Sequence, residues 1–184
     1  MMAENDYLIG KDVITKDAYK LGEIQDYSCE TVSWSIMGLR VKSGNNVAPL
    51  LNIGSGKSMI LLQPDDFTIN DVVLLDDTIE EVRSKITADR SDYLSINSMI
   101  GMSVYASDGL LVGTIDSIEV DYSKWKLISM QVKLDKAAHQ ALGVKKILFG
   151  KKISGILMSQ IDGIRDSVIL SLDTDSIRGQ MIIL

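Results

Sequence analysis

The chain has 184 residues, of which 19 are Lys or Arg and 25 are Asp or Glu, and its formal net charge is −6. This length suits one large domain or two small ones, and a hydrophobic content of 46% is sufficient for a core. An acidic chain does not attract a phosphate backbone overall, so any nucleic-acid binding must be local. The single cysteine, Cys29, excludes an internal disulfide, and every apolar run is far shorter than the roughly 20 residues of a spanning helix. We therefore expect a cytoplasmic protein without direct membrane insertion, which a membrane-bound complex could still recruit.

An internal repeat organises the sequence. Residues 9–42 align with 100–133 at a constant offset of 91, and the alignment resumes further along the chain at an offset of 96. The second offset places Leu74 on Leu170, and the change of five residues predicts a longer middle segment in the second copy. Two copies of this length indicate two homologous domains rather than a solenoid, which needs three or more short units.

The repeat predicts the domain organisation and the fold class. We predict one domain at 1–86, a second at 98–184, and a polar linker between them at 87–97. Each copy contains five or six short strand patterns with sharp turns, which is typical of a small β-barrel. The predicted fold class is therefore all-β with short helices, with two tandem small β-barrels packed as a pseudo-dimer.

The hairpin near the start of each copy is predicted to differ between the copies. Asp108 and Gly109 of the second copy supply the positive φ that a tight hairpin turn requires. Asp17 and Ala18 occupy that place in the first copy, and alanine disfavours positive φ. We therefore expect a different turn in the first copy.

The strand–turn–strand centre of each copy contains a glycine and a tryptophan at matching positions. Gly22 and Gly113 stand at the start of a strand, where a bulge or a close backbone approach needs glycine. Trp34 and Trp125 begin the returning strand, where a large aromatic side chain is typical of core packing, and ligand stacking is the alternative. We predict structural roles for all four residues.

Two short helices are predicted from their capping residues. Thr78 and Glu81 form a capping box before a stretch that ends at Ile86. In the second copy, Asp135 is the expected N-cap of a helix, and Gly143 lies just past its end.

The motifs that suggest chemistry are incomplete. In IGSGKSM at 53–59, the first glycine of a phosphate-binding loop is replaced by Leu51, and a strand is expected to follow instead of a helix. His139 and Cys29 are the only residues of their types, which excludes zinc sites built from those ligands, and no Ser or Cys motif lies near His139. We predict no catalytic residue, no metal site and no cofactor, so the chain is not expected to be an enzyme.

The segment KKILFGKK at 145–152 places four lysines around an apolar centre and has no basic counterpart in the first copy. Its lysines are the candidate partner-binding residues: Lys145, Lys146, Lys151 and Lys152. Such a segment suits an acidic protein surface or RNA. The alternative is a set of solvated lysines that flank a strand or loop.

The spacing of glycines and apolar residues in the second copy, "IG..V....G..vG.I..ievD...W.l..m.V.L", followed by GVKK and IDGIRDSVIL, resembles a PRC-barrel domain. The resemblance covers 7–86 and 98–184, and DKAAHQALGVKK resembles the archaeal branch of the family. The first copy departs from the pattern, because it has SGNNVAPLLNIGSG where the second copy has its basic element. We therefore expect function to lie in the divergent segments 43–57 and 134–152.

The resemblance implies a small barrel of about six strands without common catalytic residues. Family members include a reaction-centre subunit domain, a module of a ribosome-maturation factor and archaeal adaptors of the cell-division machinery, which all dock onto other macromolecules. The implied function is a non-enzymatic adaptor that docks onto protein partners, with an archaeal cell-division adaptor as the specific case. A homo-oligomer or a related PRC-barrel protein is among the expected partners. The alternative is an RNA- or ribosome-associated maturation factor that uses 145–152.

Overall fold

The computed structural model describes these residues of the chain: 2–52, 59–62, 67–87, 93–144, 152–180 and 182–183. The chain divides into two compact units. We call Asp6–Asn97 the first unit, and Met1–Asn5 together with Ser98–Leu184 the second unit. As domain limits, 1–86 and 98–184 with a linker at 87–97 stay a prediction.

The first unit contains eight strands and one complete helix within its described residues. In chain order, after β1 (Met2–Glu4) of the second unit, these are β2 (Asp12–Ile14), β3 (Lys20–Glu30), β4 (Ser35–Ser43), β5 (Met59–Leu62), β6 (Phe67–Ile69), β7 (Val73–Leu75), α1 (Ile79–Lys85), β8 (Ile86–Thr87) and β9 (Leu94–Ser95). The strands pair in the order β6-β7-β2-β3-β4-β5-β8, and β9 also pairs with β3. Among the described residues of this unit, β2 and β7 pair in parallel and the other strand pairs are antiparallel.

The second unit repeats this arrangement strand for strand. After α2 (Ile96–Met99), its described elements are β10 (Ser103–Tyr105), β11 (Leu111–Asp121), β12 (Lys126–Leu134), α3 (Lys136–Ala141), β13 (Lys152–Leu157), a 3-10 turn (Met158–Gln160), β14 (Ile161–Ile164), β15 (Ser167–Leu170), α4 (Thr174–Gln180) and β16 (Ile182–Ile183). The order is β14-β15-β10-β11-β12-β13-β16, with β1 also on β11. The predicted fold class, all-β with short helices in two similar units, is confirmed.

The core of each unit is aliphatic, as the scarcity of aromatic residues suggests. Most residues of the long central strands are buried or half-buried, and the buried ones recur at matching positions in the two copies. Fully or almost fully buried examples are Val13, Ile24, Tyr27, Leu39 and Val41 in the first unit, and Val104, Ile115, Ile118, Met130 and Val132 in the second. Burial of these side chains supplies most of the driving force for folding each unit.

The strand register corrects the repeat alignment of the second half. Val13 lies opposite Val73 in the parallel ladder of the first unit, and its counterpart Val104 lies opposite Val168 in the second. The offset there is therefore 95 and not 96, so Leu74 corresponds to Ile169. A slip of one residue exchanges the two faces of a strand, which is why the sequence alignment was wrong about the environment of Leu74.

The extra residues of the second copy are spread over three places. Met59 lies opposite Lys42, and Lys152 lies opposite Lys133, so the middle segment is longer by two residues and not by five. A further register shift occurs in the pairing of β12 with β13, and another in the pairing of β14 with β15. Single-residue bulges of this kind bend a strand without leaving a sequence signal that a gap-free alignment detects.

The prediction of different hairpin turns in the two copies is wrong. Ala18 has φ of 68° and Gly109 has φ of 91°, so both adopt the left-handed conformation. The N–H of Ala18 donates to the carbonyl of Thr15, and the N–H of Gly109 donates to the carbonyl of Ala106, both at 2.9 Å. The hydroxyl of Thr15 accepts from the Tyr19 N–H at 3.0 Å, and such local bonds help to offset the strain at alanine.

We expect Ala18→Gly to raise the free energy of unfolding by about 0.5–1 kcal/mol, because glycine adopts the left-handed conformation without the steric penalty of alanine. Part of that gain is offset, since glycine also raises the conformational entropy of the unfolded chain. The reciprocal change Gly109→Ala should lower the free energy of unfolding by about 1 kcal/mol. Urea unfolding of both variants checks this pair. Effects of the same sign would contradict the assignment of equivalent turns.

The two capped helices are confirmed. In α1, the hydroxyl of Thr78 accepts from the Glu81 N–H, and the Glu81 carboxylate accepts from the Thr78 N–H at 2.8 Å, which completes the capping box. In α3, the carboxylate of Asp135 accepts from the Ala137 N–H at 2.9 Å. Gly143 follows the helix with φ of 69°.

One aspartate in each unit joins the hairpin to the start of the last helix. Asp17 accepts from the Ile79 N–H at 3.0 Å, and Asp108 accepts from the Thr174 N–H at 3.1 Å. The Thr15 hydroxyl and then the Ile79 N–H lower the pKa of Asp17. Hydrogen bonds from Thr174 lower the pKa of Asp108.

These lowered pKa values predict acid sensitivity. A carboxyl whose pKa is lower in the folded state contributes stability above its unfolded pKa of about 3.9 and loses it as the pH falls through the folded pKa. We therefore expect the melting temperature to fall on acidification from about pH 5 to pH 3, and to fall less in an Asp17→Asn/Asp108→Asn variant. Thermal melts across this range check the prediction, and identical pH slopes for the two proteins would contradict it.

Candidate interaction surfaces

Both predicted structural glycines lie where two backbones meet. A Cβ atom at Gly22 would stand 2.0 Å from the carbonyl oxygen of Lys42. At Gly113 it would stand 2.0 Å from the carbonyl oxygen of Lys133. The closeness of β3 to β4, and of β11 to β12, thus requires glycine at these positions.

The two tryptophans lie in the turns that precede β4 and β12. Trp34 has φ of 58° and is 7% exposed, while Trp125 has φ of 49° and is half-buried. The Trp125 ring packs edge-on against Tyr122, with 5.8 Å between the ring centroids. A left-handed backbone is uncommon for so bulky a residue, and packing of the indole compensates for it.

The basic segment is only partly described. Lys145, Lys146 and Lys151 lie outside the described residues, and Lys152 is the first residue of β13. In the ladder with β12, Lys152 lies opposite the exposed Lys133. Lys133 was not recognised from the sequence, because only the register between β12 and β13 brings it to the basic segment.

An exposed aliphatic position recurs on the strand beside the edge of each unit. Leu74 on β7 is 41% exposed, and its counterpart Ile169 on β15 is 46% exposed. Within the described part of each unit, these strands are followed only by β6 and β14 at that end of the order. The sequence alignment missed this pair, because it placed Leu74 on the buried Leu170.

A groove of about 420 Å³ lies at the β14–β15 hairpin. Its lining residues are Gly163, Ile164, Arg165, Ser167 and Ile169. The groove combines two aliphatic side chains, one cation and an edge strand. An edge strand presents backbone N–H and C=O groups that an extended peptide can pair with.

The structure brings together little that suggests catalysis. Within the described ranges, no cluster of three or more His, Cys, Asp or Glu side chains could hold a metal ion. The ring Nδ1 of His139 lies 2.7 Å from the carbonyl oxygen of Asp135, in the same helix. Burial, with a smaller contribution from Glu30, raises the pKa of the Cys29 thiol to about 12. A thiol that stays protonated at neutral pH is a poor nucleophile.

Comparison with known proteins finds similarity among solved structures. No family model matches the chain, and no curated protein is significantly similar to it. The solved structure of a putative 16S ribosomal RNA processing protein, RimM from Pseudomonas aeruginosa, is similar at 18% identity, over 83% of this chain and 99% of that chain, with a TM-score of 0.31. In the part of the chain that the structure describes, no helix has the length and apolar character needed to cross a bilayer.

Proposed function

We propose that the chain is a non-enzymatic adaptor that docks onto protein partners through the strands beside its sheet edges. The observation that carries this proposal is the repeated exposure of an aliphatic side chain, Leu74 in one unit and Ile169 in the other. Single exposed aliphatic residues are common. Exposure of an aliphatic residue at matching positions of two diverged copies instead favours a contact role that both copies share. The resemblance to PRC-barrel domains supports the same class of function, with an archaeal cell-division adaptor as its specific form.

The experiment is a capture assay from native lysate with the purified chain. We expect the wild-type chain to retain a protein partner, and a Leu74→Glu/Ile169→Glu variant to lose it, because each glutamate puts charge into an apolar contact. Val32→Glu is the matched control, since Val32 is 90% exposed in the turn between β3 and β4. The proposal fails if no protein is retained under conditions that recover known complexes, or if the double variant retains it equally well.

The second candidate function is association with RNA or a ribosomal particle through the basic segment. The register between β12 and β13 supports it, because it places one further lysine position, Lys133, beside the last position of the basic segment, Lys152. Binding should weaken with salt and with Lys133→Glu, whereas Lys42→Glu at the matching place in the first unit should have little effect. Absent or salt-insensitive binding would rule this candidate out. Changing Lys145, Lys146, Lys151 and Lys152 to Glu together should weaken binding to RNA in the same direction as Lys133→Glu.

A further inference from the structure

Each unit is completed by the first strand of the other copy of the repeat. In the first unit, Ser28 on β3 lies opposite Ser95 on β9. In the second unit, Glu119 on β11 lies opposite Glu4 on β1. The repeat offset of 91 residues relates Ser28 to Glu119 and Glu4 to Ser95. The two pairs are therefore equivalent, except that each copy receives the first strand of the other copy. The flanking pairs obey the same rule: Cys29 with Leu94, and Val120 with Ala3.

We propose that the same exchange occurs between molecules, so that β11 of one molecule accepts the segment Met2–Asn5 of a second copy of this chain. The product is a strand-exchanged dimer. This proposal is independent of the docking function, because it concerns β11 and not the strands that carry Leu74 and Ile169.

Glu4 and Asn5 make hydrogen bonds that hold β1 on the second unit. The N–H of Asn5 donates to the carbonyl of Ile118 at 2.8 Å, and the side-chain oxygen of Asn5 accepts from the N–H of Ile118 at 3.0 Å. The hydroxyl of Tyr122 donates to the carbonyl of Glu4 at 3.1 Å. A second copy of the segment forms identical bonds, which is the condition that makes strand exchange a low-cost route to dimers.

The segment also contains one unfavourable pair. β1 has three residues, and Glu4 lies opposite Glu119, although the Glu4 carboxylate also accepts from the Gln131 side-chain amide at 3.3 Å. Like charges directly opposite each other destabilise an antiparallel pair, whereas the matching pair in the first unit is formed by two serines. We therefore expect β1 rather than β9 to exchange, and to do so at high protein concentration.

The register of β1 on β11 shows where two introduced cysteines can form a disulfide. The backbone N–H of Asn5 donates to the carbonyl of Ile118, so Glu4 and Glu119, next along the ladder, form a non-hydrogen-bonded pair whose side chains lie close. Cysteines at such a pair suit disulfide geometry. The native Cys29 is buried and its pKa is raised to about 12, so it does not form disulfides in the folded protein.

The experiment mixes full-length Glu4→Cys and Glu119→Cys variants at about 1 mM and treats them with oxidised glutathione. At this concentration a segment from a second molecule competes with the segment of the same chain, whose effective concentration is also of the order of mM. Only exchange between molecules places the two thiols together. We expect the mixed disulfide dimer, identified by mass, to exceed that from a Val32→Cys and Glu119→Cys mixture by about tenfold or more, since a bound geometry replaces random collision. Equal yields from the two mixtures would overturn the proposal.

A second measurement keeps the proposal testable if a cysteine variant folds poorly by circular dichroism. The unmodified chain should form a dimer whose fraction rises with concentration in analytical ultracentrifugation. Ala3→Pro should abolish that dimer, because proline removes an N–H and disfavours the strand. A monomer at every concentration, or a dimer that survives Ala3→Pro, would contradict the exchange.

Discussion

Gly113→Ala is expected to lower the free energy of unfolding by about 3 kcal/mol or more, since overpacking against fixed backbone lies at the costly end of core substitutions. The new Cβ atom would stand 2.0 Å from the carbonyl oxygen of Lys133, a distance at which β11 and β12 must separate. Gly22→Ala should act alike, because the carbonyl of Lys42 lies at the same 2.0 Å. Urea or thermal unfolding of each variant measures the loss.

Gly179 provides the matched control for these glycine substitutions. It lies in α4, and a Cβ atom there would meet no atom within 4 Å. Gly179→Ala should therefore raise the free energy of unfolding by about 0.5–1 kcal/mol through helix propensity. If Gly113→Ala is tolerated as well as Gly179→Ala, the close approach of β11 to β12 is not as described.

The second large effect is expected for Asp26→Ala, which should cost about 3 kcal/mol, as for other buried ion pairs that lose one partner. The carboxylate of Asp26 lies 3.2 Å from the guanidinium of Arg40 and accepts from the Asn97 N–H at 3.0 Å. It also accepts from the hydroxyl of Ser95. The side chains of Asp26 and Arg40 are only 10% and 17% exposed, so the loss leaves a poorly hydrated cation.

An exposed ion pair of the same unit is the control for Asp26. Lys20 and Asp12 approach to 2.7 Å, but the lysine side chain is 61% exposed. Asp12→Ala should therefore change the free energy of unfolding by less than about 1 kcal/mol. Unfolding in urea compares the two variants directly. Equal losses for Asp26→Ala and Asp12→Ala would refute the special role of the buried pair.

Strong local signals made much of the fold predictable. The capping box of Thr78 and Glu81 and the cap of Asp135 depend on side chains within three residues of the bonds they make, so the sequence determines them. The glycines at 22 and 113 were recognisable because both copies retain them ahead of an alternating strand. Such features require no knowledge of which strands meet.

Non-local pairing was not predictable. β1 has three residues and β9 has two, too few for any periodic pattern, so their exchange between copies left no sequence signal. The bulges of β13 and β14 shifted the alignment, which hid the correspondence of Leu74 with Ile169. The turn at Ala18 was missed because hydrogen bonds around Thr15 stabilise a conformation that alanine itself disfavours.

The central structural claim is that the first strand of each copy pairs with the other copy. It is tested most directly by nuclear Overhauser effects between Hα protons in the dilute, isotope-labelled chain. Non-hydrogen-bonded antiparallel pairs bring these protons together. The exchanged arrangement predicts cross-peaks between Glu4 and Glu119 and between Ser95 and Ser28. Cross-peaks between Glu4 and Ser28 and between Ser95 and Glu119 would instead mean that each copy keeps its own first strand, and would contradict it.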